Sequence, residues 1–374
     1  MNEKAYFAPL LPWQQSLWQR MTNAALQQDG KLAHALLASG VEGIGKRAFV
    51  WRWVAWQLCD NKQNNSDGAC GECESCQWLK AGTHPDLAVL PISSLLKSAE
   101  SDKAVETVRK TNSKKSSKKN EAEKQVKPRI KIDDVRSIQD FVHQGSSNLR
   151  ICVFDYAETM TIAAANALLK TLEEPKSGVQ LILISDKPDM LLPTIKSRVQ
   201  QLALTEINQS HAIDYVKQRL TQSGHKDAES MTKVSYDDEK IKQLLIISAN
   251  APLKAVSMAQ SKWYGMRELW LTTWQALRSH SRTPVIASDY WQSQLSINEF
   301  IELSQVMLAD VQRLVFDLPA YQQDIDYSSI LQSLPEMQRC IDLCEYIQTA
   351  IQSLTQNIQE KLIYDDMMQR LRNL

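Results

Sequence analysis

The stretch 35-ALLASGVEGIGKRAFVWRWVAWQL-58 predicts a strand, a loop and a helix in succession. Its first five residues are apolar or small, as in a buried strand, and its last thirteen have helical spacing. Between them, Gly40, Gly45 and Lys46 match the phosphate-binding loop pattern of Gly, four residues, Gly and Lys. The next residue normally carries a hydroxyl group that holds Mg²⁺, and here it is Arg47. The stretch therefore predicts an α/β nucleotide-binding fold with an altered phosphate site.

Short apolar runs continue to alternate with amphipathic runs up to about residue 204, which predicts a parallel sheet with helical crossovers. Further strands are predicted at 86-DLAVLPI-92, 150-RICVFD-155, 180-QLILIS-185 and 199-VQQLAL-204. Further helices are predicted at 132-IDDVRSIQDFVH-143 and 161-TIAAANALLKTL-172. Residues 1–204 are therefore predicted to form one α/β domain of about five strands.

A lysine- and serine-rich segment interrupts this order at residues 93–129. It contains 113-SKKSSKKNEAEK-124 and almost no large apolar residues. Such a segment buries too little surface to offset the entropy that ordering would cost. We predict a disordered insertion here, and a weak DNA contact is the alternative.

The remainder of the chain is predicted to be helical. At 374 residues the chain is long enough for two or three domains, and we predict a small helical lid at 205–261 and a helical assembly domain at 262–374.

The 43 lysines and arginines equal the 43 aspartates and glutamates in number, so the overall charge favours no polyanionic partner. The N-terminus lacks the uncharged apolar core of a signal peptide, and no window approaches about 18 unbroken apolar residues. These features predict a cytoplasmic protein.

Four of the seven cysteines are spaced as metal ligands. Cys59, Cys70, Cys73 and Cys76 follow the pattern C-x10-C-x2-C-x2-C, and thiolates two residues apart can reach one ion from a tight turn. Four thiolates complete a tetrahedral Zn²⁺ site, which predicts a structural role because no position is free for water. An iron–sulfur cluster and four unrelated thiols are the alternatives. The other three cysteines are predicted to be core or helix-face residues.

The groups that ATP hydrolysis requires are incomplete in this sequence. Asp155 ends a predicted strand, where an aspartate that supports Mg²⁺ belongs. Hydrolytic members of such folds normally continue with a glutamate, but here Tyr156 follows and Glu158 lies two residues further on. Arg47 cannot replace a hydroxyl group, because a guanidinium only donates hydrogen bonds and repels a cation. We therefore predict a phosphate loop with weak or no nucleotide binding, and an active ATPase is the alternative.

Ser197 and Arg198 precede the last predicted strand, where a side chain could reach a neighbouring subunit. An arginine offered to another chain's γ-phosphate stabilises the transition state and contributes roughly 10³ to 10⁵ in rate. From the residues alone, an ordinary surface arginine is the stronger interpretation.

The run 166-NALLKTLEEP-175, together with 151-ICVFDYAE-158 and 194-TIKSR-198, resembles the bacterial clamp-loader branch of the AAA+ proteins. The resemblance covers about residues 5–260, includes the cysteine insertion, and extends more loosely into a collar-like C-terminal region. Within that branch the altered phosphate loop resembles the delta-prime subunits of DNA polymerase III. The ATP-hydrolysing gamma/tau subunits instead have Thr or Ser after the lysine and Glu after the aspartate.

The resemblance implies a subunit of a heteropentamer that loads the sliding clamp (beta) onto primed DNA during replication, with gamma/tau and delta subunits as partners. It implies that the four cysteines bind zinc and that Arg198, beside Ser197, is an arginine finger for the adjacent gamma/tau subunit. Val199 departs from the cysteine of the family's Ser-Arg-Cys motif. Ser185 matches the first sensor position, and Lys254 lies near that of a second-sensor arginine.

The resemblance also implies no independent catalysis by the chain, which would be one subunit of a polymerase holoenzyme. A gamma/tau-type ATPase and a zinc-containing DNA-binding protein that acts alone are the alternatives. Lysine-rich insertions are not part of the family pattern, so the role of residues 93–129 stays open.

Overall fold

A computed structural model gives the structure of the chain. It describes residues 3–27, 33–91, 129–143, 149–223, 236–331, 333–354 and 358–374. The predicted insertion at 93–129 lies outside these ranges, apart from its last residue. None of the helices within them is long and apolar enough to cross a membrane.

The described residues of the first part of the chain form a five-stranded sheet in the order β2-β3-β4-β1-β5. Its strands are β1 (Ala35–Ser39), β2 (Leu87–Leu90), β3 (Arg150–Phe154), β4 (Val179–Ser185) and β5 (Gln200–Gln201). All neighbouring pairs are parallel, which confirms the prediction of a parallel α/β sheet. Strand β1 lies between β4 and the edge strand β5, so the loop that follows it opens beside the end of β4.

Helices were predicted at 46–58, 132–143 and 161–172, and each is present with its ends within one residue of the prediction. Around the sheet the described residues form seven α-helices. They are α1 (Glu3–Tyr6), α2 (Gln15–Leu26), α3 (Lys46–Leu58), α4 (Glu74–Ala81), α5 (Ile132–His143), α6 (Ile162–Glu173) and α7 (Pro193–Lys196). Helix α3 is buried on nearly all sides. Trp53 on α3 donates its indole N–H to the side-chain oxygen of Gln180 on β4 at 3.1 Å, and its ring meets Trp18 of α2. The burial of α3 on nearly all sides is therefore explained by its position between the sheet and the N-terminal helices.

The last strand is shorter than predicted. The apolar pattern predicted a strand over 199–204, but only Gln200 and Gln201 pair regularly with β1. Both side chains are exposed, and β5 forms the edge of the sheet. The backbone N–H of Leu202 still donates to the carbonyl of Leu37 at 2.9 Å, but the N–H of Leu204 donates to the carbonyl of Leu202 at 2.8 Å. This tight turn ends the ladder.

The chain divides into two compact units, residues 1–211 and 212–374. The described part of the second unit is helical, beginning within α8 (Gln209–Ser223). The further helices are α9 (Asp238–Ile247), α10 (Pro252–Gln260), α11 (Arg267–Arg278), α12 (Pro284–Gln294), α13 (Ile297–Val315), α14 (Ser328–Leu331), α15 (Met337–Leu354) and α16 (Glu360–Asn373). The core of this unit includes the fully buried Trp270, Trp274, Trp291 and Phe300. The predicted division of this region into a lid and an assembly domain stays a prediction.

Candidate functional site

The carboxyl ends of three strands bring the residues of the predicted phosphate site together. Ser39 at the end of β1 pairs with Ser185 at the end of β4, and β3 ends beside β4. The carboxyl ends of the strands therefore bring together the loop that leads into α3, Asp155 after β3 and Asp186 after β4. Ligands of open α/β sheets bind at these carboxyl ends.

The loop between β1 and α3 depends on its glycines. Gly40 has φ +138° and Gly45, which caps the N-terminus of α3, has φ +85°. A Cβ atom on Gly45 would lie 2.3 Å from the side chain of Leu11, so that position excludes larger residues on two grounds. Gln14 donates its side-chain N–H to the carbonyl of Gly45 at 3.1 Å. The N-terminal segment is thus packed directly against the loop.

Arg47 joins the ends of two strands. Its Nε donates to Oδ1 of Asp155 at 2.9 Å, and its two terminal nitrogens donate to the two carboxylate oxygens of Asp186 at 2.9 Å each. The guanidinium also stacks on Tyr156, with its carbon 4.2 Å from the ring centre. The carboxylate that was predicted to support Mg²⁺ is therefore already paired with a cation of the protein.

Lys46 is bound within the same cluster. Its Nζ lies 2.5 Å from Oδ1 of Asp186 and 2.9 Å from the carbonyl oxygen of Val41, and its side chain is only 2% exposed. A lysine that holds a phosphate must direct its ammonium toward the ligand. Here two internal acceptors hold the ammonium. We call Lys46, Arg47, Asp155 and Asp186 the internal ion cluster.

The charges of the internal ion cluster determine its titration. Burial would raise the pKa of Asp186, but the hydrogen bonds and charges of Arg47 and then Lys46 lower it well below its usual value. Burial would lower the pKa of Arg47, but Asp186 and Asp155 raise it. Burial lowers the pKa of Lys46, which Asp186 only partly offsets. Burial also raises the pKa of Asp155 in spite of Arg47. Asp186 is thus the anion on which both cations depend.

The other predicted residues of this edge are also engaged. Glu158 accepts the backbone N–H of Asp186 at 3.3 Å, and Tyr156 has a left-handed backbone at φ 53°. Ser185 is fully buried and accepts the backbone N–H of Lys187 at 3.2 Å. Lys254 lies in the second unit, 3.7 Å from the carboxylate of Glu302. The sensor roles of Ser185 and Lys254 stay predictions.

Arg198 lies at the opposite edge of the sheet, where the strands begin. It precedes by two residues Gln200, which pairs with Leu36 of β1, whereas the phosphate loop starts at Gly40, four residues after Leu36. At about 3.3 Å per residue, roughly 13 Å separates Gln200 from the phosphate loop along the strand direction, and Arg198 precedes Gln200. The arginine is 37% exposed. It therefore cannot serve the phosphate loop of its own chain.

The guanidinium of Arg198 is held by residues next to it in space. One terminal nitrogen lies 2.8 Å from Oε1 of Glu173, the last residue of α6. The other donates to the carbonyl oxygen of Thr194 at 3.0 Å and to Oγ of Ser197 at 3.3 Å. The structure thus brings Ser197 to Arg198, but not to the phosphate loop.

The four predicted ligand cysteines converge. The Sγ atoms of Cys59, Cys70, Cys73 and Cys76 all lie within 4.8 Å of one another, and two of the separations are 4.0 Å and 3.9 Å. A Zn–S bond of about 2.3 Å in tetrahedral geometry corresponds to about 3.8 Å between sulfurs. The arrangement can hold one metal ion.

Hydrogen bonds lower the pKa of these thiols, and burial raises it. Backbone N–H groups of Glu72 and Cys73 lower the pKa of Cys70 to about 6. Burial raises the pKa of Cys59 and Cys76, so a bound cation is what would keep those two as thiolates. The donor set therefore fits a metal ion. Cys152 and Cys340 are fully buried, as predicted for core residues.

Two residues of these sites were not predicted, Asp186 and Glu173. Asp186 directly follows the buried strand β4. An acidic residue at that position of a parallel strand was the available signal. Glu173 lies within the conspicuous run 166-NALLKTLEEP-175, but nothing in the sequence pairs it with Arg198.

Comparisons with known proteins agree with the resemblance. A family model described as "DNA polymerase III, delta subunit" matches residues 13–208. A curated relative from Pseudomonas aeruginosa, DNA polymerase III subunit delta', is 35% identical over 250 residues. These cover 66% of this chain and 61% of that protein, so the chain spans less than two thirds of that relative. The delta' subunit of Escherichia coli is 24% identical over 380 residues, covering 97% of this chain and 95% of that protein.

The chain is also similar, more loosely, to tau/gamma subunits and to solved structures. A DNA polymerase III subunit tau/gamma from Haemophilus influenzae is 26% identical over 197 residues, covering 52% of this chain and 23% of that protein. A gamma subunit-related protein from Thermotoga maritima aligns with a TM-score of 0.40 and 16% identity, covering 96% of this chain and 99% of that chain. A structural likeness this loose adds nothing to the assignment. Since the family model covers more than half of the 374 residues, the chain belongs to the DNA polymerase III delta-subunit family, among the delta-prime subunits.

Proposed function

We propose that the chain acts as a clamp-loader subunit that does not hydrolyse ATP and supplies Arg198 to the ATP site of an adjacent gamma/tau subunit. In this proposal the α/β unit is an AAA+ domain, residues 205–261 are a helical lid and residues 262–374 are a collar that assembles the heteropentamer. The partners are the gamma/tau and delta subunits, the sliding clamp (beta) and, through the complex, primed DNA. The complex works in the cytoplasm.

The observation that carries the proposal is the pairing of Arg47 with Asp155 and Asp186. Hydrolysis needs Mg²⁺ between a hydroxyl group after the lysine, an acidic strand end and the phosphates. Arg47 places a fixed positive charge against both carboxylates at 2.9 Å. A magnesium ion would have to displace that charge and still lack its hydroxyl ligand. This supports a chain without ATPase activity of its own.

The position of Arg198 supports a role in a neighbouring site. It lies at the amino ends of the strands, whereas its own phosphate loop lies at their carboxyl ends. Its side chain is partly exposed, and its Nε has no hydrogen-bond partner among the described residues. A guanidinium offered to another chain's γ-phosphate stabilises the charge that develops in the transition state. Hydrolysis would then take place in the neighbour, with one catalytic group from this chain.

The cysteine cluster supports a structural metal. We infer that the ion is Zn²⁺, because the sulfur separations of 4.0 Å and 3.9 Å are close to those of four thiolates around one tetrahedral zinc. The cluster joins the end of α3 to the start of α4. Its expected role is to hold that connection in place.

The proposal is tested by ATPase measurements on the chain alone and on the complex reconstituted with gamma/tau, delta, clamp and primed DNA. We expect no turnover by the chain alone. In the complex, Arg198→Ala is expected to lower the stimulated rate while assembly measured by gel filtration is unchanged. Lys196→Ala, which removes an exposed cation two residues away, is the matched control. An unchanged rate for Arg198→Ala would remove this arginine from the reaction.

A further inference from the structure

Arg198 is held more firmly than an exposed arginine normally is. Glu173 contacts one terminal nitrogen at 2.8 Å, while Thr194 and Ser197 accept hydrogen bonds from the other at 3.0 Å and 3.3 Å. An unrestrained arginine side chain samples many rotamers. These three acceptors together select one of them in the chain before any partner is present.

The position of Glu173 is not explained by the stability of its own helix. Glu173 is the last residue of α6, and Glu174 follows it. The C-terminus of a helix carries partial negative charge, so carboxylates there are unfavourable and cations are favoured. Within the described ranges the carboxylate of Glu174 makes no ion pair, whereas that of Glu173 pairs with Arg198. The ion pair with Arg198 therefore compensates the unfavourable charge of Glu173 at the end of its helix.

We propose that Glu173 is a positioning residue that holds the guanidinium of Arg198 where it meets the γ-phosphate bound by the neighbouring subunit. This inference rests on the proposed function. A guanidinium has five N–H donors, and Nε of Arg198 remains available while Glu173, Thr194 and Ser197 keep their contacts. The phosphate can therefore be bound without release of Glu173. Because the side chain is ordered beforehand, it loses little further freedom when the neighbour's transition state forms.

The expected effect is modest, since both partners are partly exposed. An exposed ion pair favours the paired arrangement by a factor of roughly 1.4 to 5. Glu173→Ala is therefore expected to lower kcat for ATP at the adjacent site by about 1.4- to five-fold, with KM for ATP unchanged. Glu173→Gln keeps an oxygen acceptor but loses the charge, so its kcat is expected to lie between those of wild type and Glu173→Ala. Glu174→Ala, the adjacent exposed carboxylate, is the matched control and should behave as wild type.

The test is the steady-state ATPase of the reconstituted complex, stimulated by clamp and primed DNA, with each variant chain. A merely structural ion pair would change the melting temperature of the chain and not kcat. The decisive comparison adds Glu173→Ala to Arg198→Ala, where no further loss is expected because there is no guanidinium left to position.

The outcomes separate this inference from the proposed function. If Arg198→Ala leaves the rate unchanged, the proposed function fails. If Arg198→Ala lowers the rate but Glu173→Ala does not, or raises it, the proposed function stands and Glu173 does not position the arginine. A raised rate would mean that the carboxylate withholds the guanidinium from the phosphate.

Discussion

The internal ion cluster predicts that Asp186→Asn destabilises the first unit strongly. Asp186 is the shared acceptor of two cations, at 2.5 Å from Lys46 and 2.9 Å from Arg47, and its side chain is 4% exposed. Removing one partner of a buried ion pair costs about 3–5 kcal/mol, because the other charge is left buried without compensation. Arg47 would keep Asp155 at 2.9 Å, while Lys46 would keep only a carbonyl.

We place the expected loss at the lower end, about 3 kcal/mol. The asparagine oxygen can still accept a hydrogen bond. Moreover, burial already lowers the pKa of Lys46, so this side chain can release a proton and avoid a buried unpaired charge.

Hydrogen exchange measured by mass spectrometry on peptides from β1 and β4 is the appropriate assay. The chain forms two units and contains ten tryptophans spread over both, so a global fluorescence transition would mix them. Asp189→Asn, which changes an exposed carboxylate three residues away, is the matched control. Protection in β1 and β4 within about 0.5 kcal/mol of wild type would refute the view that the cluster holds these strand ends together.

Two further predictions follow from the same charges and from the cysteines. The pKa of Asp186 is depressed, so its stabilisation is complete above its unfolded pKa of about 3.9 and is lost as the pH falls below that value. The difference in hydrogen-exchange protection of β1 and β4 between wild type and Asp186→Asn should therefore become smaller below about pH 4. A difference that stays constant down to about pH 3 would contradict the depressed pKa of Asp186. For the metal, we expect about one zinc ion per chain by elemental analysis. Cys73→Ser should lose the metal, and its 59–76 segment should become sensitive to proteolysis. Cys344→Ser should keep the metal.

The periodicity of the sequence was enough for the first four strands and for the helices at 46–58, 132–143 and 161–172, because each of these runs carries the pattern of its own burial. The runs at 35–39, 150–155 and 180–185 are apolar since each strand is covered on both faces. The end of β5 was not predictable in the same way. The pattern over 199–204 is that of a strand, but the backbone turns after Leu202, and the apolar pattern does not mark that turn.

The sites, too, were predictable where their residues lie close together in the sequence and not where they lie far apart. The cysteine cluster was predictable because three of its cysteines lie within seven residues and their spacing alone places them in one turn. The partner of Arg47 was not, since Asp186 lies 139 residues away along the chain and meets it only when β1 and β4 pair. The sequence indicated that a ligand for Mg²⁺ was missing. It did not indicate that the substituted arginine would bind the remaining carboxylates itself.

The central claim is that this chain keeps the shape of a phosphate site and contributes its chemistry to a neighbour. ATP turnover by the purified chain alone, compared with that of its Lys46→Ala variant, tests this claim most directly. We predict that both have the same rate, at the background of the assay. Turnover by the wild-type chain that Lys46→Ala abolishes would show a working site in this chain and contradict the account.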